Sequence, residues 1–569
     1  MNFKLRSSIN PDIVKLVYEN RNIDFNNKEE FLNPTADARM CPSVYKNMQQ
    51  AFEMLAHHIR NGLKICILVD SDCDGICSGA MMYLYIRDVI GYKNIIYMLH
   101  EGRKAHGLTK EILARLLTDK PDLLIVPDAG SNDYNEHKVL KQYGVDLIVI
   151  DHHKCDRYSD DAIVINNQLQ EGVNHTLSGA GMVLKFLEYL DIVANLDGAK
   201  QFYDLTAIAL VADSMEITHP ETRYYVFEGL KNINNPLLKT LVGDKVNKDF
   251  NTISYDIAPS LNAIIRIGDT QEQQELFKTL ITKDNETKVM NIRGKGEVEM
   301  SSTECVKLIA DRLKSKQTRL IKKALESETT IVITQNLPFT IVIFDNEEYK
   351  NLSGLIASKI VERYNKPAIV VCEKEDGYYG SARSTDYCPN FRTYLSSTKM
   401  FKYAQGHEGA FGLGIEKEKL SALTVRLLNT TLGDDAYLVD KSYADGYIPA
   451  TEIFAIAEMK SLWCKGFEEP LFHISLKDVQ QANISVIGKN KDTIKFKSNY
   501  IDFIKFKCSQ EEIQSIIGDT PVDIELIGKF DVNEWNGRTY PQVKIEDMEV
   551  QKTVEMDKFE FGKMNLFGI

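Results

Sequence analysis

The chain has 569 residues, 44% hydrophobic and 26% charged, with a net charge of −13. That length exceeds one hydrophobic core and suits roughly three to four domains, and no apolar run reaches the about 18 residues of a membrane span. Residues 1–10 lack the apolar core of a secretory signal, and the ten cysteines form no C-x-x-C pair, so the sequence points away from membrane, secreted and zinc-ribbon proteins and toward a cytoplasmic one.

Short apolar runs at residues 64–69, 94–98, 123–126, 147–150 and 162–165 lack polar alternation, as strands covered on both faces do. Helical stretches at 78–90 and 109–117 separate them, which predicts a parallel α/β sheet. A helix is expected over 203–212, ending at Asp213, and a long one over 301–325. Six of the twelve residues from Arg312 to Lys323 are basic, with no acid among them. A smaller α/β unit follows, with strands at 329–332, 339–344 and 368–372 and a helix at 352–364. From about Tyr447 the pattern turns to short β segments, including 494–497, 522–527 and 542–545, as in a small OB-like barrel. The expected domains are 1–280, a connecting helical segment 281–328, then 329–446 and 447–550, with a flexible tail at 551–569.

The first strand runs into Asp70-Ser71-Asp72-Cys73-Asp74-Gly75. A calcium EF-hand begins this way, but it needs a glutamate at the twelfth position, here Met81, and a helix before it, here a strand. The third strand ends at Asp128 and the fourth at Asp151-His152-His153. Ligands of an open parallel sheet collect at the carboxyl ends of its strands. Five carboxylates and two imidazoles would meet there, and Asp213 adds a sixth carboxylate. Such crowding of charge requires bound cations. Mixed oxygen and imidazole donors favour manganese, with magnesium or zinc the alternatives. Two such ions are a recurring phosphoester-cleaving arrangement.

D-S-D-C-D-G, D-A-G, D-H-H and Val211-Ala212-Asp213 resemble motifs one to four of the DHH phosphoesterases. The resemblance implies that Asp70, Asp72, Asp74, Asp128, His152 and Asp213 hold two metal ions, with Asp128 bridging. Asp151 would support the site and His153 would touch the scissile phosphate. Gly380-Ser381-Ala382-Arg383-Ser384 and Gly406-His407-Glu408-Gly409 resemble motifs of the companion DHHA1 domain. Residues 259–266, ending at Arg266, resemble the RecJ stretch P-x-x-N-A-x-x-R, and Trp535-Asn536-Gly537-Arg538 resembles a RecJ OB turn. The likeness spans about residues 31–550. It implies a RecJ-like, manganese- or magnesium-dependent exonuclease that degrades single-stranded DNA 5′ to 3′ in recombination, repair or replication. Arg103, Arg266, Ser381, Arg383, Gly406 and His407 would bind phosphate or DNA.

Two stretches depart from the family: the W-H-x-G-V-I-G segment is replaced at residues 347–354, and R-x-x-G-Y-G reads Arg103-Lys104-Ala105-His106-Gly107. They suggest a divergent, phage-type member. From Lys489 to Lys507, six lysines stand among four aromatics. Lys495 and Lys497 are expected to track DNA, with most of the aromatics in the core. Leu566 and Phe567 in the tail resemble a sliding-clamp peptide. A single-strand-binding protein or a helicase would be further partners of a monomeric enzyme. The rival readings are an oligoribonuclease or dinucleotide phosphodiesterase of the same superfamily, and a non-catalytic DNA-binding scaffold.

Overall fold

A computed structural model describes residues 3–6, 12–100, 106–245, 248–283, 285–292, 296–326, 331–332, 339–344, 347–385, 388–428, 442–447, 452–535 and 538–552. Arg103, Asn536, Gly537, Leu566 and Phe567 lie outside these residues. The chain forms two compact units, one of residues 28–440 with 464–467, the other of 1–27, 441–463 and 468–569. The first 27 residues thus fall with the C-terminal segment, whereas the sequence reading counts them in the phosphoesterase domain.

The larger unit begins with β1 (Ile65–Val69), α1 (Cys73–Leu84), β2 (Ile95–Leu99), α2 (Lys110–Asp119), β3 (Leu123–Pro127), α3 (Tyr134–Gln142), β4 (Asp146–Asp151) and β5 (Ile163–Asn166). The five strands are parallel in the order β2-β1-β3-β4-β5. Both faces are buried, which explains the unbroken apolar runs. Ile65, Ile67 and Val69 enter one core, and Cys66 and Leu68 enter the other. The chain reverses its direction of travel across the sheet between β1 and β3, and there the strand ends leave an open crevice. The expected helix at 78–90 begins earlier, at Cys73, because Asp72 caps it by accepting the Gly75 N–H at 3.0 Å. Its continuation, Tyr85–Val89, is a π-helical turn.

Helices α4 (Gly179–Ala194) and α5 (Tyr203–Ala212) pack on α1 within the first of these cores. On α4, Lys185 is fully buried and bonded to Glu188 Oε2 at 2.9 Å, Glu221 Oε1 at 2.8 Å and the Met40 carbonyl at 2.6 Å. Helix α6 (Ala258–Ile267) follows. The connecting segment, expected to be helical, carries a β-hairpin of β6 (Thr287–Ile292) and β7 (Gly296–Ser301) before the long α7 (Ser302–Glu326). In β7, Val298 and Met300 alternate with Glu297 and Glu299, a short two-residue period.

A mixed sheet then forms from β8 (Ile331–Val332), β9 (Thr340–Phe344), β10 (Ala368–Lys374), β11 (Gly377–Arg383), β12 (Phe401–His407) and β13 (Ala410–Ile415). Its order is β12-β13-β11-β10-β9-β8, with only β9 and β10 parallel, and α8 (Ser353–Tyr364) covers one face.

In the other unit a seven-stranded sheet is built around Phe472–Val479, Val522–Trp535, Arg538–Lys552 and the ribbon Ile484–Ile487, Thr493–Ser498, Ile501–Lys505. Phe496 and Phe503 stack at 5.1 Å inside it. Tyr500 is 90% exposed and Phe506 55% exposed, so the core claims only half of the aromatics in this stretch. Lys495 pairs with Asp502 at 2.9 Å, while Lys497 is exposed. Asp445 accepts from Arg21 Nη1 at 2.7 Å, fastening the N-terminal helix Ile13–Glu19 to this unit.

Candidate metal centre

Asp70 follows the buried end of β1, and Asp72 and Asp74 fall at the start of α1. Gly75 makes this turn possible, since a Cβ there would lie 2.5 Å from Asp70 Cβ. Asp74 is buried and faces the N-terminus of α4. It accepts from Gly179 N–H at 2.7 Å, Ala180 N–H at 2.8 Å and Ser178 Oγ at 3.0 Å. A carboxylate on free helix N–H groups is a strong, charge-assisted arrangement. The sequence reading missed this role of Ser178-Gly179-Ala180, although small residues ahead of a long apolar helix mark a close approach.

Asp128 follows β3 in the left-handed region, at φ 65°. Its N–H donates to the Ile150 carbonyl at 2.7 Å, locking the turn. Asp151 receives four hydrogen bonds, from the N–H groups of Ser131, His152 and His153 and from His153 Nδ1 at 2.8 Å. It therefore acts as a scaffold, orienting His153 and leaving its Nε2 available. Asp213 caps the C-terminal end of α5.

These side chains converge. His152 Nε2 lies 3.3 Å from Asp128 Oδ1, 3.4 Å from Asp213 Oδ2 and 3.7 Å from Asp74 Oδ2. Donor atoms of Asp128, His152 and His153 lie within 4.8 Å of one another, as do those of Asp74, His152 and Asp213, and those of Asp70, Asp72 and Asp128. Asp128 belongs to two of the three groups, as a shared carboxylate would. Among the described residues, Asp128 Oδ1, His152 Nε2 and Asp213 Oδ2 are buried with no hydrogen-bond partner. Buried polar atoms normally have one. Donors spaced about 3–4 Å apart around a common point suit a cation bound at about 2.0–2.2 Å. The residues present fit divalent ions.

The electrostatics agree. Burial, then the charges of Asp74, Asp72, Asp70 and Asp213, push the Asp128 carboxyl well above the usual range. Burial, then Asp213 and Asp72, push Asp74 up to about 7. Burial and the neighbouring His153 charge bring His152 down to about 4, leaving the neutral ring that a cation requires. These carboxylates resist ionising together unless positive charge joins them.

For His153, burial opposes the charged ring, but Asp151 outweighs it and lifts the imidazolium to about 10. An unfolded histidine releases its proton near 6.5. This contribution to stability is complete below that pH and is lost as pH rises toward about 10. In the presence of chelator the melting temperature should fall over this window. The Asp151→Asn protein should lose part of the slope, and equal slopes in thermal melts would refute the Asp151–His153 pairing.

His407 stands at the end of β12, where the Glu408-Gly409 turn is fixed by Arg392 and Thr393. Its Nε2 reaches to 3.5 Å from Asp213 Oδ2, so the second sheet contributes to the same centre. Gly406, at φ 127°, shapes this hairpin end.

A second group forms nearby. Ser381 Oγ and Ser353 Oγ are 2.9 Å apart at the start of α8. Arg383 Nη2 lies 2.7 Å from where a Cβ on Gly354 would stand. Burial and the positive charge of Arg266 bring Arg383 down to about 10. Arg266 is depressed by burial and feels Asp72 as a countercharge. Two guanidinium groups that feel each other's charge, one of them beside the first turn of α8, have the chemistry to hold an anion. Lys495 and Lys497 belong to the other unit.

Residues 64–210 match the DHH family, N-terminal domain, and residues 445–547 match the RecJ OB domain. The chain is 33% identical to the "Putative SPbeta prophage-derived single-strand DNA-specific exonuclease YorK" of Bacillus subtilis (strain 168), over 96% of this chain and 98% of that one. It is 26% identical to the single-stranded-DNA-specific exonuclease RecJ of the same organism, over 90% of this chain and 64% of the relative. The crystal structure of RecJ in complex with Mn2+ from Thermus thermophilus shares the fold with a TM-score of 0.72 at 20% identity, over 94% of this chain and 75% of that one. With a DHH domain, a RecJ OB domain and an end-to-end relative, the chain belongs to the RecJ-like exonucleases of the DHH family.

Proposed function

We propose that this protein is a two-cation exonuclease that degrades single-stranded DNA from a 5′ end. The observation that carries this reading is the convergence of Asp70, Asp72, Asp74, Asp128, His152 and Asp213 around unpartnered buried donor atoms. The names of the end-to-end relative and of RecJ support the substrate class. Manganese is the preferred ion, from the mixed donor set.

Asp70, Asp72 and Asp128 would hold one ion, and Asp74, His152, Asp213 and the shared Asp128 the other. Such ions supply polarisation of the phosphoryl oxygens and acidity to a water. His153, held by Asp151, contacts the scissile phosphate and carries positive charge to it. Arg266, Ser381 and Arg383 clamp the terminal phosphate and set the chain end against the centre. Arg103 is proposed to join them, and His407 closes the centre from the second sheet. Lys497 and Lys495 track the strand, and exposed Tyr500 stacks on a base. A monomeric enzyme in the cytoplasm fits this role, with a single-strand-binding protein, a helicase or a sliding clamp as partners.

Digestion of 5′- and 3′-labelled single strands with Mn2+ or Mg2+ tests the reading. Release of the 5′ label first is expected, and equal release from both ends would overturn the polarity. Arg383→Ala should reduce the preference for a 5′ phosphate over a 5′ hydroxyl by about tenfold or more, the worth of one charged hydrogen bond. Competition between the two substrates measures this, and an unchanged preference would remove Arg383 from end recognition.

A further inference from the structure

Residues 106–108 meet the centre directly. Three consecutive residues grip two aspartates. His106 Nδ1 lies 2.6 Å from Asp70 Oδ2, Gly107 N–H donates to Asp70 Oδ1 at 3.1 Å, and Leu108 N–H donates to Asp133 Oδ2 at 2.8 Å. Asp133 opens α3, so this segment is fastened at both ends of its short span. Asp70 is an acceptor, hence Nδ1 of His106 carries the proton. Asp70 Oδ2 keeps a lone pair for a further partner, while His100 Nε2 stands 3.6 Å from Oδ1. The His106 ring also meets His153 edge-on, with centroids 4.7 Å apart and planes at 72°.

One imidazole thus touches a carboxylate of the acidic cluster and the histidine assigned to the phosphate. We propose that His106 is a positioning residue that holds the Asp70 carboxylate in line with Asp72 and Asp128 and braces His153 against it. Donors behind a metal-binding carboxylate fix its direction, and losing one costs about 10- to 100-fold in metal affinity. The proposal rests on the cation reading of the cluster.

The test is Mn2+ titration of the full-length protein, following the free-ion EPR signal, for wild type, Asp128→Asn, His106→Ala, His106→Asn and His106→Gln. H106A should bind Mn2+ about tenfold more weakly. H106N, whose amide nitrogen stands near the place of Nδ1, should bind like wild type. H106Q, whose amide lies one bond farther out, should bind as weakly as H106A, and this pair decides the matter if the alanine protein does not fold. In steady-state digestion H106A should lose kcat with KM for single-stranded DNA unchanged, and H106N should recover it. Wild-type binding by H106A or H106Q, or binding by H106N as weak as H106Q, overturns the positioning role. Unchanged binding by D128N would instead overturn the cation reading itself.

Discussion

Asp128→Asn should lower single-strand hydrolysis by about a thousandfold, equivalent to about 4 kcal/mol of barrier. The substitution takes charge from the one carboxylate common to two donor groups. It leaves the backbone able to keep φ 65°, since asparagine tolerates that region as aspartate does. Alanine would add backbone strain and confuse the two effects. The same change should act oppositely on the cation-free protein. Burial and four neighbouring carboxylates oppose Asp128's charge, so a neutral amide relieves repulsion. The D128N melting temperature in chelator should therefore match or exceed that of wild type, while added Mn2+ should raise it less. Single-turnover digestion and melts with and without Mn2+ check both halves. Activity within tenfold of wild type would exclude Asp128 from the centre.

Gly179→Ala is the second large effect. A Cβ at this position would lie 2.2 Å from Asp128 Oδ1 and 2.4 Å from Asp128 Cβ. Asp128 has nowhere to retreat, because its N–H is tied to Ile150 and its neighbours are buried strands. The start of α4 must therefore back away, taking the Gly179 and Ala180 N–H groups from Asp74. Overpacking of this kind costs about 1–3 kcal/mol, and the disturbed support should cost Mn2+ affinity about 10- to 100-fold. Gly518→Ala, where a Cβ meets nothing within 4 Å, is the control and should change neither property. Melting and Mn2+ titration of both variants measure the effect. Wild-type affinity in G179A would mean that α4 does not hold the centre.

Much of this is legible in the sequence, and the reason is physical. A strand buried on both faces must be apolar throughout, so its polar terminus stands out, and Asp70, Asp128 and Asp151 are found that way. Asp213 follows from a helix whose bounds the apolar run of 203–212 defines. What escapes is support from backbone groups. The N–H donors of α4 to Asp74 and of the 106–108 segment to Asp70 and Asp133 have no side-chain signature. His106 can be seen only as a departure from a family pattern, although it lies on Asp70. The β6–β7 hairpin is hidden because its short alternation stands beside the stronger helical period of α7. Tyr500 and Phe506 share the aromatic character of Phe496 and Phe503, but Tyr500 sits in the turn between the two strands, at φ 66°, and Phe506 just past the second, so where the strands end separates core from surface.

The parallel sheet has one more implication, for time rather than equilibrium. Its donors come from residues 70–74, 128, 152 and 213, contributed by three strand ends and a later helix. Beyond the first cluster, no local turn brings one donor to the next. Each parallel crossover must close a long loop before the next carboxylate arrives. A cation can recognise the centre only when nearly the whole sheet and α5 are in place, after the main folding barrier. Bound ions should then leave the rate of folding almost untouched and lengthen the lifetime of the folded state, since interactions absent from the transition state act on unfolding.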